Sequence, residues 1–330
     1  LAGAPAARFR QVPQAPVNLA AAEWLPYALP LRAPWRTSRG TLHERSGRLL
    51  RLQTSDGLTG WGDCAPLPEF GIDEAAAEAF AEECALLDLA ARRAGCSLAE
   101  WLGGRPPPAS IAVNATGGAI STTTAGHLAG LAGEGYSVIK LKAGIAPLAD
   151  EIAALQALCA TLPPGMRLRL DANGAWSAGD AHIFVAACAA LPVEGLEEPL
   201  HAPDAAGLRR LQEQAAFPLA IDESVDLLDS AFWHAPPVRR IVFKPARQGG
   251  LLAVVERALK ASAAGVEVVI SSALESACGL HALAQLAAAL APGSCHGLAT
   301  GALFVSDTGA PPEIAGGRLI LPGGPGIGFS

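Results

Sequence analysis

No two cysteines in this chain are spaced as C-x-x-C, and charge is scarce. The seven thiols (64, 84, 96, 159, 188, 278 and 295) are odd in number and scattered among apolar neighbours. They read as buried, reduced groups, which suits a reducing compartment such as the cytoplasm. Charged residues make up 17% of the chain against 51% hydrophobic. That balance suits a large core and excludes disorder. The net charge of −7 supplies no electrostatic reason to bind nucleic acid or an anionic membrane. No apolar run approaches the roughly 18 residues of a membrane helix. The longest candidate, 183–191, stops at Pro192. There is no GxGxxG and no Walker sequence. The glycine-rich stretch 323–328 has neither strand–helix context nor a following lysine, so it is not a phosphate loop. His127, His182, His201 and His234 have no acidic partner pattern and are expected at the surface. No nucleophilic constellation therefore competes for the site.

What the chain does have is a rhythm. Five short apolar runs each end in charge: Val138-Ile139-Lys140-Leu141-Lys142, Leu168-Arg169-Leu170-Asp171, Gly195-Leu196-Glu197-Glu198, Leu219-Ala220-Ile221-Asp222-Glu223 and Ile241-Val242-Phe243-Lys244. The intervals 142→171, 171→197, 197→222 and 222→244 are 29, 26, 25 and 22 residues. One strand, one helix and two loops need about that many. Charged residues at the ends of evenly repeated strands point to a (β/α) barrel with its site at the carboxyl-terminal rim.

The rest of the chain fits around this repeat. Residues 1–18 read as a poorly ordered leader rich in Ala, Pro and Gln. Residues 19–108 read as an α+β capping unit. Asp56-Gly57 predicts a hairpin turn, Asp73 caps a helix over 74–93, and Ser97 caps a short one over 98–102. Pro106-Pro107-Pro108 is the linker. The barrel spans 109–305, with strand one at 110–115, helix one at 121–134 and a weak eighth strand at 297–300. Residues 306–330 are expected to return to the first unit. The fold class is α/β: a TIM-like (β/α)7β barrel with an α+β cap.

Three carboxylates from adjacent strands, Asp171, Glu197 and Asp222, would repel one another strongly. A divalent cation removes the conflict, and an all-oxygen donor set favours Mg²⁺ or Mn²⁺. Glu198 and Glu223 are rivals, but alternation allows only one of each pair to face the ion. Lys140 and Lys142 lie two apart, hence on one face, and should depress each other's pKa. Lys244 faces them from the sixth strand. A lysine neutral near pH 7 is a competent base. A metal flanked by lysines suits removal of a proton from the carbon next to a carboxylate, with preorganised cations stabilising the enediolate.

Lys-x-Lys at 140 and 142, Asp171-Ala172-Asn173, Glu197-Glu198-Pro199, Asp222-Glu223-Ser224 and Lys244-Pro245, in this order and spacing, resemble the enolase superfamily in its muconate-lactonising branch. The resemblance covers nearly the whole chain after the leader. Within that branch, 168–176, 242–245, 270–276 with Gly279-Leu280, and 296–298 are similar to the o-succinylbenzoate synthase family. The resemblance implies that Lys142 is the base and then the acid, that Lys140 assists, and that Lys244 stabilises the enediolate. It implies Mg²⁺ on Asp171, Glu197 and Asp222. Asn173, Arg169, Ser271 and the backbone of Gly297 would surround metal or substrate. The implied substrate is a small carboxylate, 2-succinyl-6-hydroxy-2,4-cyclohexadiene-1-carboxylate, dehydrated in menaquinone biosynthesis. The loop 34–39 would be a specificity lid. The alternatives are an N-acylamino-acid racemase, a dipeptide epimerase or a muconate-type cycloisomerase. Residues 297–300 lack the Asp-x-Asp that dipeptide epimerases tend to carry. Retention of all five charges disfavours a non-catalytic barrel.

Overall fold

The computed structural model describes residues 18–37 and 40–330, with the backbone alone for 36, 37 and 40. The expected leader, 1–17 of it, and Ser38 and Arg39 of the expected lid lie outside the described residues. Among the described residues the strands form three sheets. The first is antiparallel: β1 (Leu19–Thr37), β2 (Gly40–Thr54) and β3 (Thr59–Cys64). Its second turn falls at Asp56-Gly57, where Gly57 takes φ +90°, a conformation open to glycine. Helix α1 (Glu74–Arg93) starts where the Asp73 carboxylate accepts from Ala76 N–H at 2.8 Å. Its apolar stripe (Ala77, Phe80, Ala81, Cys84) is buried against β3. Gly62 permits that approach, since a Cβ there would stand 1.9 Å from Ala81 O. Helix α2 (Leu98–Gly103) starts at Ser97, whose hydroxyl accepts from Glu100 N–H.

The barrel begins with one strand in two halves, β4 (Ser110–Val113) and β5 (Ala115–Ala119). Then strands and helices alternate. They are α3 (Ala125–Gly133), β6 (Val138–Lys142), α4 (Leu148–Ala160), β7 (Arg167–Asp171), α5 (Ala178–Ala187), β8 (Val193–Glu197) and α6 (Ala205–Gln214). They continue with β9 (Leu219–Ile221), α7 (Ser230–His234), β10 (Arg240–Phe243), α8 (Leu251–Ala263), β11 (Glu267–Ile270), α9 (Ala277–Leu290) and β12 (Cys295–His296). Strands β5 to β11 form one parallel sheet in chain order. A parallel bridge from Ser271 to Gly297 and the pairing of β12 with β4 close the ring. Counting β4 and β5 as one, this is the (β/α)7β barrel.

Two elements differ from the reading of the sequence. Helix α3 starts at Ala125 rather than 121, because the Thr124 hydroxyl takes the cap by accepting from His127 N–H. The eighth strand lies at 295–296, two residues before the expected run. Gly297 still donates to Ile270 O, and beyond it the chain turns into a 3-10 segment.

The C-terminal stretch divides. Strand β13 (Ile314–Ala315) pairs with β14 (Arg318–Ile320), and β14 runs antiparallel on barrel strand β4. Residues 326–329 meet the first unit: Gly326 bridges Ser97, and Arg92 donates to Phe329 O. Helix α9 is buried in all but its last two residues, which explains its Ala/Leu composition. Cys64, Cys84, Cys188 and Cys278 are buried thiols. Among the described residues no helix is long and apolar enough to cross a membrane.

Candidate active site

The parallel register brings the charged strand ends to one rim. Lys142 pairs with Asp171, and Asp171 with Glu197, across β6, β7 and β8. On β6, Ile139 and Leu141 are fully buried under the helices, and Lys140 and Lys142 take the opposite face. Lys140 Nζ lies 2.8 Å from Asp171 Oδ2 and also bonds Glu197. Lys142 Nζ donates to Asp171 Oδ2 at 2.7 Å and to Asn173 Oδ1 at 2.6 Å. Lys244 Nζ bonds Asp222. Lys142 is the most open of the three lysines, at 36% side-chain exposure against 17% and 15%.

Two acids flank the trio, and their fates differ from simple alternation. Strand β8 ends at Glu197. Glu198 then adopts φ +43° and turns its carboxylate to Asp222 N–H (2.7 Å) and to the Ser224 hydroxyl. Burial pushes the Glu198 carboxyl up to about 7 despite these donors. Strand β9 ends at Ile221, so Asp222 and Glu223 both lie past the pleat and both stay with the site. Glu223 lines the cavity and accepts from Asn173 Nδ2 at 2.8 Å. Burial, with the charge of Asp222, raises its carboxyl.

The depression expected from the pairing of Lys140 with Lys142 is not met at Lys140. Burial does pull Lys140 down, but Asp171, Glu197 and Asp222 outweigh it and hold the ammonium well above its ordinary value. Lys244 is raised likewise by Asp222 and Glu223. Asp171 shows the converse. Burial raises its carboxyl, and Lys140 with Lys142 drive it far below the carboxylate range.

Among the described residues, no three His, Cys, Asp or Glu side chains stand in a ready-made metal cluster. Lysine amines bridge the carboxylates instead. The donor set still fits a hard divalent ion. Asp171 and Glu197 bond a single ammonium, and Asp222 is near enough to raise that same group, so the three acids already share one cationic charge. Asp222 Oδ1 and Glu223 Oε2 are buried without a hydrogen-bond partner.

Asp171, Glu223 and the three lysines floor a cavity roofed by the first unit, and Glu197 and Asp222 lie buried behind that floor without lining it. Trp35, Leu42, Leu67, Phe70 and Ile72 form its apolar side, with Ala273 and Leu274 from the loop after β11. Lys140, Lys142, Asp171, Asn173, Lys244, Ser271 and Gly297 all line it. His127, His182, His201 and His234 lie away from it. Arg169 departs from expectation, because it does not line the cavity. It sits two residues earlier on β7, 1% exposed, one layer below Asp171. There it bonds Glu194, Asn114 Oδ1 and Cys295 O, and its Nε is 3.8 Å from Glu197. Arg240 joins the same layer through Glu194 and Glu267. Among the lining residues that the sequence reading passed over are Asn114, Thr116 and Arg247. Arg247 donates to Glu223 O at 3.0 Å. Its signal was its place three residues after Lys244.

Comparison with known proteins agrees with this geometry. Residues 124–330 match the enolase C-terminal domain-like family, and residues 22–82 match the N-terminal domain of mandelate racemase and muconate lactonizing enzyme. The chain is 31% identical over 298 residues to o-succinylbenzoate synthase of Pectobacterium atrosepticum, covering 83% of this chain and 88% of that one. It is 33% identical over 292 residues to o-succinylbenzoate synthase of Yersinia enterocolitica, with the same coverage. In fold it is similar to the L-Ala-D/L-Glu epimerase from Bacillus subtilis, with TM-score 0.86 and 22% identity over 94% of this chain and 98% of that one. Muconate lactonizing enzyme from Pseudomonas fluorescens superposes with TM-score 0.83 and 22% identity, over 95% and 96% of the two chains. A barrel with acids on three successive strands, lysines on both sides of them and a matching two-part sequence place this chain in the enolase superfamily, within its mandelate racemase/muconate-lactonising branch.

Proposed function

We propose that this enzyme is a Mg²⁺-dependent dehydratase. It converts 2-succinyl-6-hydroxy-2,4-cyclohexadiene-1-carboxylate to o-succinylbenzoate, a step of menaquinone biosynthesis. Asp171, Glu197 and Asp222 would hold the ion, with Glu223 beside them. Bound there, Mg²⁺ supplies positive charge against the substrate carboxylate and makes the adjacent C–H bond acidic.

The remaining steps fall to side chains of this chain. Lys142 Nζ, held by Asp171 and Asn173 and open to the cavity, takes the proton from the carbon bearing the carboxylate. Lys244 stays charged through its pairing with Asp222 and stabilises negative charge as it spreads onto that carboxylate. The electron pair then returns and expels the neighbouring hydroxyl, to which Lys142 gives back its proton. Water leaves and the ring becomes aromatic. Lys140 orients Asp171 and Glu197. The apolar roof suits a six-membered carbon ring and keeps water from the reacting carbon.

One observation carries this reading: Lys142 and Lys244 line the same cavity from the second and sixth of eight strands, on opposite sides of a carboxylate floor. The identity to o-succinylbenzoate synthases supports dehydration in particular. The same opposed lysines also favour a second reading. A racemase or epimerase would use one amine on each face of a single carbon. Incubating the enzyme with Mg²⁺ and the cyclohexadiene substrate tests the first reading, through the ultraviolet change on aromatisation. N-succinyl amino acids in deuterated water test the second, through deuterium gained at the α-carbon. A flat ultraviolet trace from an enzyme that exchanges the α-proton would replace dehydration with racemisation.

A further inference from the structure

The apolar wall of the cavity comes from two loops that belong to different units. Residues 65–72, after β3, supply Leu67, Phe70 and Ile72. Residues 271–276, after β11, supply Ala273 and Leu274. One side chain ties them together. Arg45, on β2, is 3% exposed. Its Nε donates to Leu274 O at 3.1 Å, its Nη1 to Pro66 O at 2.6 Å and its Nη2 to Ala65 O at 2.7 Å. Burying a guanidinium is unfavourable unless its donors are satisfied, and apolar residues often serve stability better at such a place. Here the planar fork meets three backbone carbonyls, a geometry that a lysine cannot copy.

The loop it holds is strained. Leu274 has φ +65°, which is unfavourable for a residue with a Cβ. The Ser272 hydroxyl accepts from Leu274 N–H at 2.9 Å, and the leucine side chain packs on Leu29 and Phe304. Two more residues of the first sheet complete the hold. Asp63, on β3 and fully buried, accepts from Ser276 N–H at 2.8 Å and from the Tyr27 hydroxyl at 2.7 Å. Glycines make room for both. A Cβ on Gly279 would lie 2.7 Å from Asp63 Oδ2, and one on Gly47 would lie 2.4 Å from the Tyr27 hydroxyl oxygen. Each strand of the first sheet thus contributes one residue to a clasp on the barrel loop: Tyr27 from β1, Arg45 from β2 and Asp63 from β3.

We propose that Arg45, with Asp63 and Tyr27, is a positioning set that fixes Leu274 against the 65–72 loop. It thereby sets the width of the apolar wall that selects the carboxylate substrate. This rests on the cavity being the substrate site. None of the three touches the lysines or the acidic trio, so the set acts on substrate fit and leaves proton transfer alone.

The test compares Arg45→Lys and Tyr27→Phe with the wild type by steady-state kinetics and by hydrogen exchange. Arg45→Lys should raise KM by roughly tenfold while kcat stays within about threefold, the pattern of lost ground-state fit. The amides of 274–276 should exchange roughly tenfold faster, with the Lys140–Lys142 strand unchanged. Tyr27→Phe keeps the ring and loosens only the hold through Asp63, so both effects should be smaller and in the same direction. If Arg45→Lys does not fold, Tyr27→Phe decides alone. Unchanged loop exchange in a folded variant would overturn the proposal, as would a fall in kcat at constant KM. If the wild type turns over neither substrate type, the functional reading fails, and the exchange result still judges the clasp.

Discussion

Lys140 Nζ stands 2.8 Å from Asp171 Oδ2, and the two groups pull each other's proton affinity in opposite directions. Burial alone would lower the lysine and raise the carboxyl. On each side several partners together outweigh it: Glu197 and Asp222 act with Asp171 on the lysine, and Lys142 acts with Lys140 on the carboxyl. The site therefore keeps its charges although Asp171 and Glu197 are only 1% exposed. A divalent ion on the acids would take over the compensation that the amines now supply.

Lys142→Ala should reduce kcat by roughly a thousandfold or more, the scale of a lost general base. Its side chain is about a third exposed and bonds only at the rim, so the fold should survive. Turnover measured beside a thermal melt checks both. Substantial activity in the folded variant would move the base elsewhere, with Lys244 the first candidate.

Asp222→Asn should weaken the apparent affinity for Mg²⁺ by roughly tenfold or more, as expected when a ligand or its support is lost. It also removes the partner of Lys244. A metal titration followed by activity and by calorimetry separates the two effects. An unchanged titration would rule out Asp222 as a ligand.

Glu194→Gln should destabilise the protein by about 3 kcal/mol, because it removes the carboxylate shared by two buried arginines and leaves Arg169 with Glu197 at 3.8 Å and Arg240 with Glu267. Glu194 bonds both Arg169 and Arg240, which are 1% and 3% exposed. Burial raises its carboxyl, but the two arginines outweigh this and lower it to about 2. Denaturant melts of variant and wild type at neutral pH give the difference. A variant as stable as wild type would mean that this layer is held by packing alone.

His296 links the closing strands. Its Nδ1 accepts from Ile270 N–H at 3.0 Å, and its Nε2 lies 3.0 Å from Ala291 O, which sets the Nε2–H tautomer. Burial lowers its pKa from 6.5 to about 4. The folded state thus refuses a proton that the unfolded chain accepts, and stability falls as pH drops from 6.5 towards 4. The contribution is on the order of 3 kcal/mol across that window. Urea melts between pH 7 and 4 should show a steeper loss in wild type than in His296→Phe. Parallel curves would place the titration on other groups.

Much of this architecture was legible from local signals. Asp73 and Ser97 cap helices where their sequence context predicts, because a cap involves contacts three residues apart. The charged strand ends share one rim because a repeat of near-constant length returns the chain to the same edge. Alternation placed Lys140 and Lys142 together, since both lie within β6. The same rule did not separate Asp222 from Glu223, because β9 ends before either of them.

Spacing and residue type were thus enough for the barrel, for its working rim and for which charges gather there. These follow from rules that act over a few residues and repeat along the chain. Depth and direction came only with the folded molecule. Arg169 lies under the site rather than in it, Glu198 turns away while Glu223 stays, and Arg45 holds a carbonyl 229 positions further on. Such contacts depend on how whole layers pack against one another, and no local pattern in a single chain encodes them.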